Sequence, residues 1–309
     1  MTAMDAAIDA YDRLPHATSM IVSRPAIKWP DGARVAVAFV VSVEYYEMRP
    51  PADAFVPANV PGGFGRAPYP DVRAFSQREY GNRVGIFRVM QTFDQRGMVA
   101  TAAVDESVAT RYPRLVKELV TRKWEIAGHG FSLTQVISDK MPEDRERAYI
   151  TSALDALARV AGQRPKGWHG PEYGQSQRTP KLLAELGVEY VLDWPNDEQP
   201  FLMHADDKPL VSLAMALELD DVVSAYHRRL SLDRWRTGIG VALDQLLADS
   251  AASGRHLIVN LHPWMIGHPH RIGYLEDVLA DVAGRKGLWL ATAGDIPAHY
   301  RAQTVGASR

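Results

Sequence analysis

The chain reads as a parallel α/β protein, and three observations predict that class. The apolar run over residues 35–43 is continuous, with Val35, Val37, Phe39, Val41 and Val43 pointing one way and Ala36, Ala38, Val40 and Ser42 the other. A strand apolar on both faces belongs to a parallel sheet covered on both sides. Short runs of the same kind recur at 99–104, 124–127, 188–192, 210–213, 257–261 and 288–291. Stretches of helical period lie between most of them and end at glycine, which is the rhythm of repeated β/α units in a barrel or an open sheet.

Taken in order, residues 1–30 form a turn-rich arm ending in Arg24-Pro25 and Trp29-Pro30-Asp31-Gly32, and residues 31–309 form one domain. After the first strand, 50–74 carries six prolines and Gly62-Gly63, so it is expected to be a surface loop over one end of the sheet. Val84, Phe87, Met90 and Phe93 mark one helix face, Ile150, Leu154, Leu157 and Ala161 a second, and Trp235, Ile239, Leu243 and Leu246 a third. Pro142-Glu143-Asp144 suits a helix start, and Gly97, Gly162, Gly187 and Gly254 suit helix ends.

The 309 residues include 35 Lys and Arg against 37 Asp and Glu, a formal charge of −2, with ten His and no Cys. Disulfides, thiolate metal sites and cysteine nucleophiles are therefore excluded, and the charge balance argues against a nucleic-acid surface. No apolar stretch reaches the ~18 residues of a membrane span. The first 22 residues lack the basic and apolar regions of a signal peptide, so a cytoplasmic protein without membrane partners is expected.

In β/α folds the ligand site lies at the carboxyl ends of the strands. The polar residues there are Glu44-Tyr45-Tyr46, Asp105-Glu106, His129-Gly130, Trp168-His169-Gly170-Pro171-Glu172, Asp193 through Asp197 and His262-Pro263. Acids and three separate histidines gathered at one end favour a hydrolase or lyase, and no dinucleotide or Walker loop follows any strand. Asp105 and Glu106 fit a helix N-terminus better than catalysis, and His268 and His270 read as solvated loop residues.

The acid after the first strand, the segment Glu125-Ile126-Ala127-Gly128-His129-Gly130-Phe131-Ser132, the turn from Trp168 to Glu172, Asp193-Trp194 and Leu261-His262-Pro263 come in an order that resembles the polysaccharide deacetylase (NodB-homology) superfamily. The resemblance runs from about Val35 to Tyr300. Arg78-Glu79-Tyr80-Gly81-Asn82-Arg83-Val84-Gly85, Asp197-Glu198-Gln199-Pro200-Phe201 and the stretch from His262 to Arg271 look most like its allantoinase and cyclic-imide hydrolase branch.

The resemblance implies a distorted (β/α)7 barrel that hydrolyses a non-peptide carbon–nitrogen bond. Metal-dependent members carry Asp-x-Asp after the first strand and His-x-x-x-His later. Here those positions hold Glu44, Tyr46, His129 and Leu133, so of three metal ligands only His129 remains. One imidazole cannot hold zinc. The expectation is a metal-independent hydrolase of a small amide, ureide or cyclic imide, with Glu44 as general base and its pKa raised by burial beside Tyr45 and Tyr46. His262 is the expected general acid, and the backbone N–H of Glu172 the oxyanion donor. Asp193 and Asp197 would orient His262 or bind substrate, with His129, His169, Trp168, Trp194, Tyr45 and Tyr46 also expected to line the substrate site. The rivals are a deacetylase of N-acetyl sugars with zinc in a rearranged site, His129 joined by Glu44, His169 or His262, and a barrel that binds a small ligand without catalysis. By analogy, a homo-oligomer is expected.

Overall fold

The computed structural model describes residues 15–52, 54, 70–203, 205 and 208–306. The first 14 residues of the arm and most of the proline-rich loop lie outside the described residues.

The first apolar run forms β1 (Val35–Val43), buried along its whole length. It pairs in parallel with β2 (Thr101–Val104), with β8 (Arg255–Leu261) and, at its start, with β9 (Leu288–Leu290). From β2 the sheet continues through β3 (Glu125–Gly128), β4 (Gly167–Trp168), β5 (Tyr190–Val191) and β7 (Leu210–Ser212), all parallel. An edge strand, β6 (Phe201–Met203), runs antiparallel to β7, which the sequence reading missed. The result is an α/β fold with a curled half-barrel sheet. Its far ends are joined by two backbone hydrogen bonds, Ala216 N–H to Ile258 O (2.9 Å) and His256 N–H to Glu198 O (2.9 Å), instead of a strand ladder.

The strict alternation of β1 divides the core in two. Val35, Val37, Phe39, Val41 and Val43 pack outward against the helices, with Ile86, Val89, Met90, Phe93, Trp235, Leu243 and Leu275 among their partners. Ala36, Ala38 and Val40 face inward, where they meet Ala103, Tyr190, Leu192, Val211, Leu213 and Ile258. Continued upward, the inward row of β1 reaches Ser42 and then Glu44. On β8 the same parity runs Ile258, Asn260, His262. Ser42 Oγ donates to Asn260 Oδ1 at 2.9 Å, so a polar layer caps the apolar interior just below the strand ends.

The long helix before β2 is α1 (Val72–Tyr80), a π turn over Gly81–Gly85, and α2 (Ile86–Asp94). Asp71 caps its start by accepting from Ala74 N–H, so the end of the expected loop is helical. The π turn shifts the periodicity. The buried face is Ile86, Val89, Met90 and Phe93, while Val84 and Phe87 are exposed, contrary to the threefold spacing read from the sequence. The turn exists because another segment passes close by. A Cβ on Gly85 would lie 2.1 Å from Pro263 O, and one on Gly81 2.8 Å from Trp264 N. Gly85→Ala is therefore expected to push the helix off the segment that follows His262, costing several degrees of melting temperature and most of the turnover; thermal denaturation and assay of the same preparation check both.

The remaining helices are α3 (Glu106–Arg111), α4 (Pro113–Thr121), α5 (Glu143–Ala161), α6 (Thr179–Glu185), α7 (Leu232–Asp249), α8 (Pro263–Ile266), α9 (Ile272–Gly284) and α10 (Asp295–Gly306). The expected start at Pro142-Glu143 and the stop at Gly162, with φ of 82°, are as read from the sequence. No described helix is long and apolar enough to cross a membrane.

Candidate active site

Four strands deliver the site. Glu44 leaves β1, His129 leaves β3, His169 leaves β4 and His262 leaves β8, each as the inward residue just past the last ladder pair. All four are buried. Glu44 stands between two imidazoles, its Oε1 3.6 Å from His129 Nε2 and 3.6 Å from His262 Nε2. Its other oxygen accepts from Trp264 Nε1 at 3.2 Å, and its backbone carbonyl from Asn82 Nδ2 at 2.8 Å.

Each histidine is fixed by its second nitrogen. His129 Nδ1 lies 2.6 Å from the carbonyl of His169, an acceptor only, so Nδ1 carries the hydrogen. Nε2 then turns toward Glu44 without a hydrogen-bond partner. His169 stacks on His129 with ring centroids 4.7 Å apart and donates from Nδ1 to Asp193 Oδ1 at 2.9 Å. His262 Nδ1 meets Asp221 Oδ1 at 2.7 Å, and the same carboxylate accepts from the His262 backbone N–H. Asp220 lies behind, held by Val222 and Val223 N–H and by Asn260 Nδ2.

These neighbours set the charges. Burial alone would raise the Glu44 carboxyl, but the positive charge of His262 and the nearness of both imidazole nitrogens hold it well below the usual carboxylate range. Burial works against protonating His262, yet Asp220, Glu44 and Asp221 together lift it well above an ordinary histidine. Burial raises Asp221 to about 6 against the opposing pull of His262, and the proton of this pair resides on the imidazole. His169 is pushed down, mainly by burial. The resting site thus holds an ionised carboxylate beside an imidazolium. The expected upward shift of Glu44 is corrected by its cause: the two imidazoles together outweigh burial.

Several sequence-predicted site residues sit elsewhere. Trp168 has no exposed surface; it points outward from β4 into the core with Leu154 and Leu182. Tyr45, following the inward Glu44, also points outward, edge-on to Phe75 and beneath Arg111. Asp193 orients His169 rather than His262 and also accepts from Gly170 N–H and Gln175. Trp194 donates to Gln175 at 3.1 Å, one layer behind. Asp197 pairs with Arg24 at 2.7 Å and caps Glu198 and Gln199, beside the amino end of β8 and away from the histidines. Tyr46 stays at the rim, with the Arg78 guanidinium 5.5 Å from its ring centre. Glu172 is at the rim too, with φ of 53°, and Tyr173 follows at 58°. Two successive left-handed non-glycine residues are a strained backbone of the sort held at functional sites. The Glu172 carboxyl is open to solvent but enclosed by neighbours, and is raised by that enclosure and by Glu44. As its sequence context suggests, Asp105 is an N-cap, accepting from Val108 N–H at 2.7 Å.

The residues that sequence reasoning missed are Asp220, Asp221, Trp264 and Arg78. Asp220 and Asp221 look like an ordinary helix start, and only the fold brings them under His262.

A metal in this site would draw on the donors present. Among the described residues, Asp220, Asp221 and His262 are the set of three whose ligand atoms lie within 4.8 Å of one another. As placed, they are tied to one another and to their neighbours by hydrogen bonds. The His262 nitrogen facing the acids donates a proton to Asp221, and both Asp220 oxygens already accept hydrogen bonds. Glu44, His129 and His262 fail on distance. Two nitrogens on one zinc with bonds of about 2.1 Å lie within about 4.2 Å, whereas the donor atoms of this trio do not all lie within 4.8 Å of one another. Glu44 with His129 alone supplies two donors, and Leu133 is buried apolar packing.

Residues 79–191 match the polysaccharide deacetylase family. Across 304 residues, 89% of this chain and 92% of the relative, the sequence is 23% identical to a Schizosaccharomyces pombe protein named as a polysaccharide deacetylase. A Pseudomonas aeruginosa PAO1 structure described as a polysaccharide deacetylase superposes with a TM-score of 0.81 at 25% identity, covering 93% of this chain and 99% of the other. A Mycobacterium smegmatis structure, also described as a polysaccharide deacetylase, gives 0.76 at 26%, covering 91% and 94%. The PuuE allantoinase structure shares the fold, with a TM-score of 0.82 at 24% identity over 91% of this chain and 95% of its own.

Proposed function

We propose that this chain, a carbon–nitrogen hydrolase of the polysaccharide deacetylase type, cleaves a small amide, ureide or cyclic imide with Glu44 and His262 carrying the protons and without a metal. The observation that supports the reading most is the placing of one carboxylate oxygen 3.6 Å from two imidazole nitrogens, one backed by a carbonyl and the other by Asp221.

In this reading the water oxygen bonds to the substrate carbonyl carbon as Glu44 takes its proton, while the unpartnered His129 Nε2 orients the water by accepting its second hydrogen. The carbonyl oxygen becomes an oxyanion received by the Glu172 N–H at the rim turn. The carbon–nitrogen bond then breaks and the leaving nitrogen takes the His262 proton. Both groups rest in the state the reaction needs, base ionised and acid protonated. The transfers also assist each other. As His262 gives up its charge, the main influence holding Glu44 low disappears, and burial strengthens Glu44 as a base. Deep burial of the reacting groups suits a small molecule better than a polymer chain.

The test is a panel of small amides, ureides, cyclic imides and N-acetyl sugars, assayed before and after exhaustive dialysis against EDTA, with metal analysis of the protein. Turnover of a small carbon–nitrogen substrate, unchanged by chelation, is expected. Stoichiometric zinc, with activity lost to EDTA and restored by zinc, would instead support a metal-dependent N-acetyl sugar deacetylase. Stabilisation by panel members with no turnover would support a binding barrel.

A further inference from the structure

Arg78 lies in α1, one turn before the helix widens at Gly81, and its guanidinium carbon stands 4.1 Å from the centre of the Trp264 ring. Tyr46 flanks it at 5.5 Å. The Trp264 indole N–H donates to Glu44, so the guanidinium is held about one indole width from the catalytic carboxylate. Its charge reaches the site: it opposes the rise of Glu172 and adds to the depression of His227. Yet no described carboxylate lies within 4 Å of Arg78, although Arg24, Arg83, Arg122, Arg147, Arg178 and Arg236 each have such a partner. Its Nε is buried and makes no hydrogen bond. A stacked, positioned, unpaired guanidinium at the rim of an acid-lined site is a planar anion receptor.

We propose that Arg78 selects substrates bearing a carboxylate close to the scissile carbon–nitrogen group. The charge layout also sets their orientation. Glu44, Asp220 and Asp221 occupy the floor and repel an anion, so the carboxylate stays at the rim on Arg78 while the neutral amide end descends to Glu44 and His262. The length of substrate between the two groups is limited to the width of one indole.

The inference rests on the proposed hydrolase activity only for the bond that is cut, and the experiment separates the two. N-acetylglycine and N-carbamoylglycine are compared with their neutral primary amides, each pair matched in size and differing in charge, with release of glycine or glycinamide as the readout, on the wild-type protein, Arg78→Gln and Arg78→Lys. The wild type is expected to favour the carboxylate members at least tenfold in kcat/KM. In Arg78→Gln that preference falls by about 10–100-fold, the range of a charged hydrogen bond, chiefly through KM, and Arg78→Lys recovers part of it. An equal preference in wild type and Arg78→Gln overturns the proposal. Calorimetric titration with N-acetylglycine runs in parallel. Binding that depends on Arg78 without turnover keeps the carboxylate site and counts against the hydrolase; turnover of other panel members without carboxylate binding does the reverse.

Discussion

Glu44→Gln is expected to lower kcat by about 10²–10⁴-fold, the usual contribution of a general base, with an unchanged fold by circular dichroism. The amide keeps the shape of the carboxyl and a contact for Trp264 Nε1, but cannot take a proton from water. The pH profile carries more information than the rate. In the wild type Glu44 is held well below its ordinary 4.5 and His262 well above its ordinary 6.5. The base is lost only when pH falls through the depressed value, and the acid only when pH rises through the elevated one. The kcat/KM profile should therefore be a broad plateau across neutrality. Glu44 is one of the charges that lift His262, so in Glu44→Gln the residual activity should fall off at lower pH on the alkaline side. Full activity in the variant would remove Glu44 from the mechanism; a reduced rate with an unmoved alkaline limb would remove the coupling.

Asp221→Asn is expected to cost about 10²–10⁴-fold in kcat, with KM changed little. The carboxylate holds the imidazole through Nδ1 and keeps its proton on the side of the leaving group. An amide that presents its NH2 instead makes Nδ1 an acceptor, so His262 can no longer hold two protons and is left with a neutral Nε2–H, a far weaker acid than the imidazolium. Removing the negative charge also lowers the His262 pKa, so the alkaline limb again moves down. Asp193→Asn is the control, since it disturbs His169, which the proposed proton path bypasses. A larger loss there than at Asp221 would exchange the roles of the two histidines.

What the sequence disclosed and what it hid follow from the same geometry. Glu44, His129 and His262 were legible because each ends an apolar strand, and parallel strands of one sheet bring their carboxyl ends together. Trp168 and Tyr45 were misassigned because they neighbour true inward residues; period-two alternation sends them to the opposite face. Read strictly, the row Ala36, Ala38, Val40, Ser42, Glu44 already contains the correction. Asp220 and Asp221 had no such signature. They lie between a 3-10 turn (Leu217–Leu219) and a π turn (Val222–His227), off the strand ends, and their place under His262 depends on long-range packing. The shifted face of the α1–α2 helix was hidden for a related reason. A π turn is imposed by a close crossing of Pro263, which no local periodicity announces.

The two hydrogen bonds that join the far ends of the sheet have a consequence for how the molecule opens. Elsewhere β8 is tied into a seven-residue ladder with β1; along this seam the backbone-to-backbone bonds among the described residues are those donated by Ala216 and His256, with side-chain bonds such as Gln199 to Gly254 O beside them. Amide exchange is expected to be slowest on β1 and fastest, within the sheet layer, at this seam. Asp220 and Asp221 follow directly after it. A local opening there would carry Asp221 away from His262 while β1, β2 and β3 remain folded, so the proposed general acid can be lost without loss of the structure. Inactivation by mild denaturant should accordingly precede global unfolding, with loss of protection at Ala216 and His256 tracking the loss of turnover.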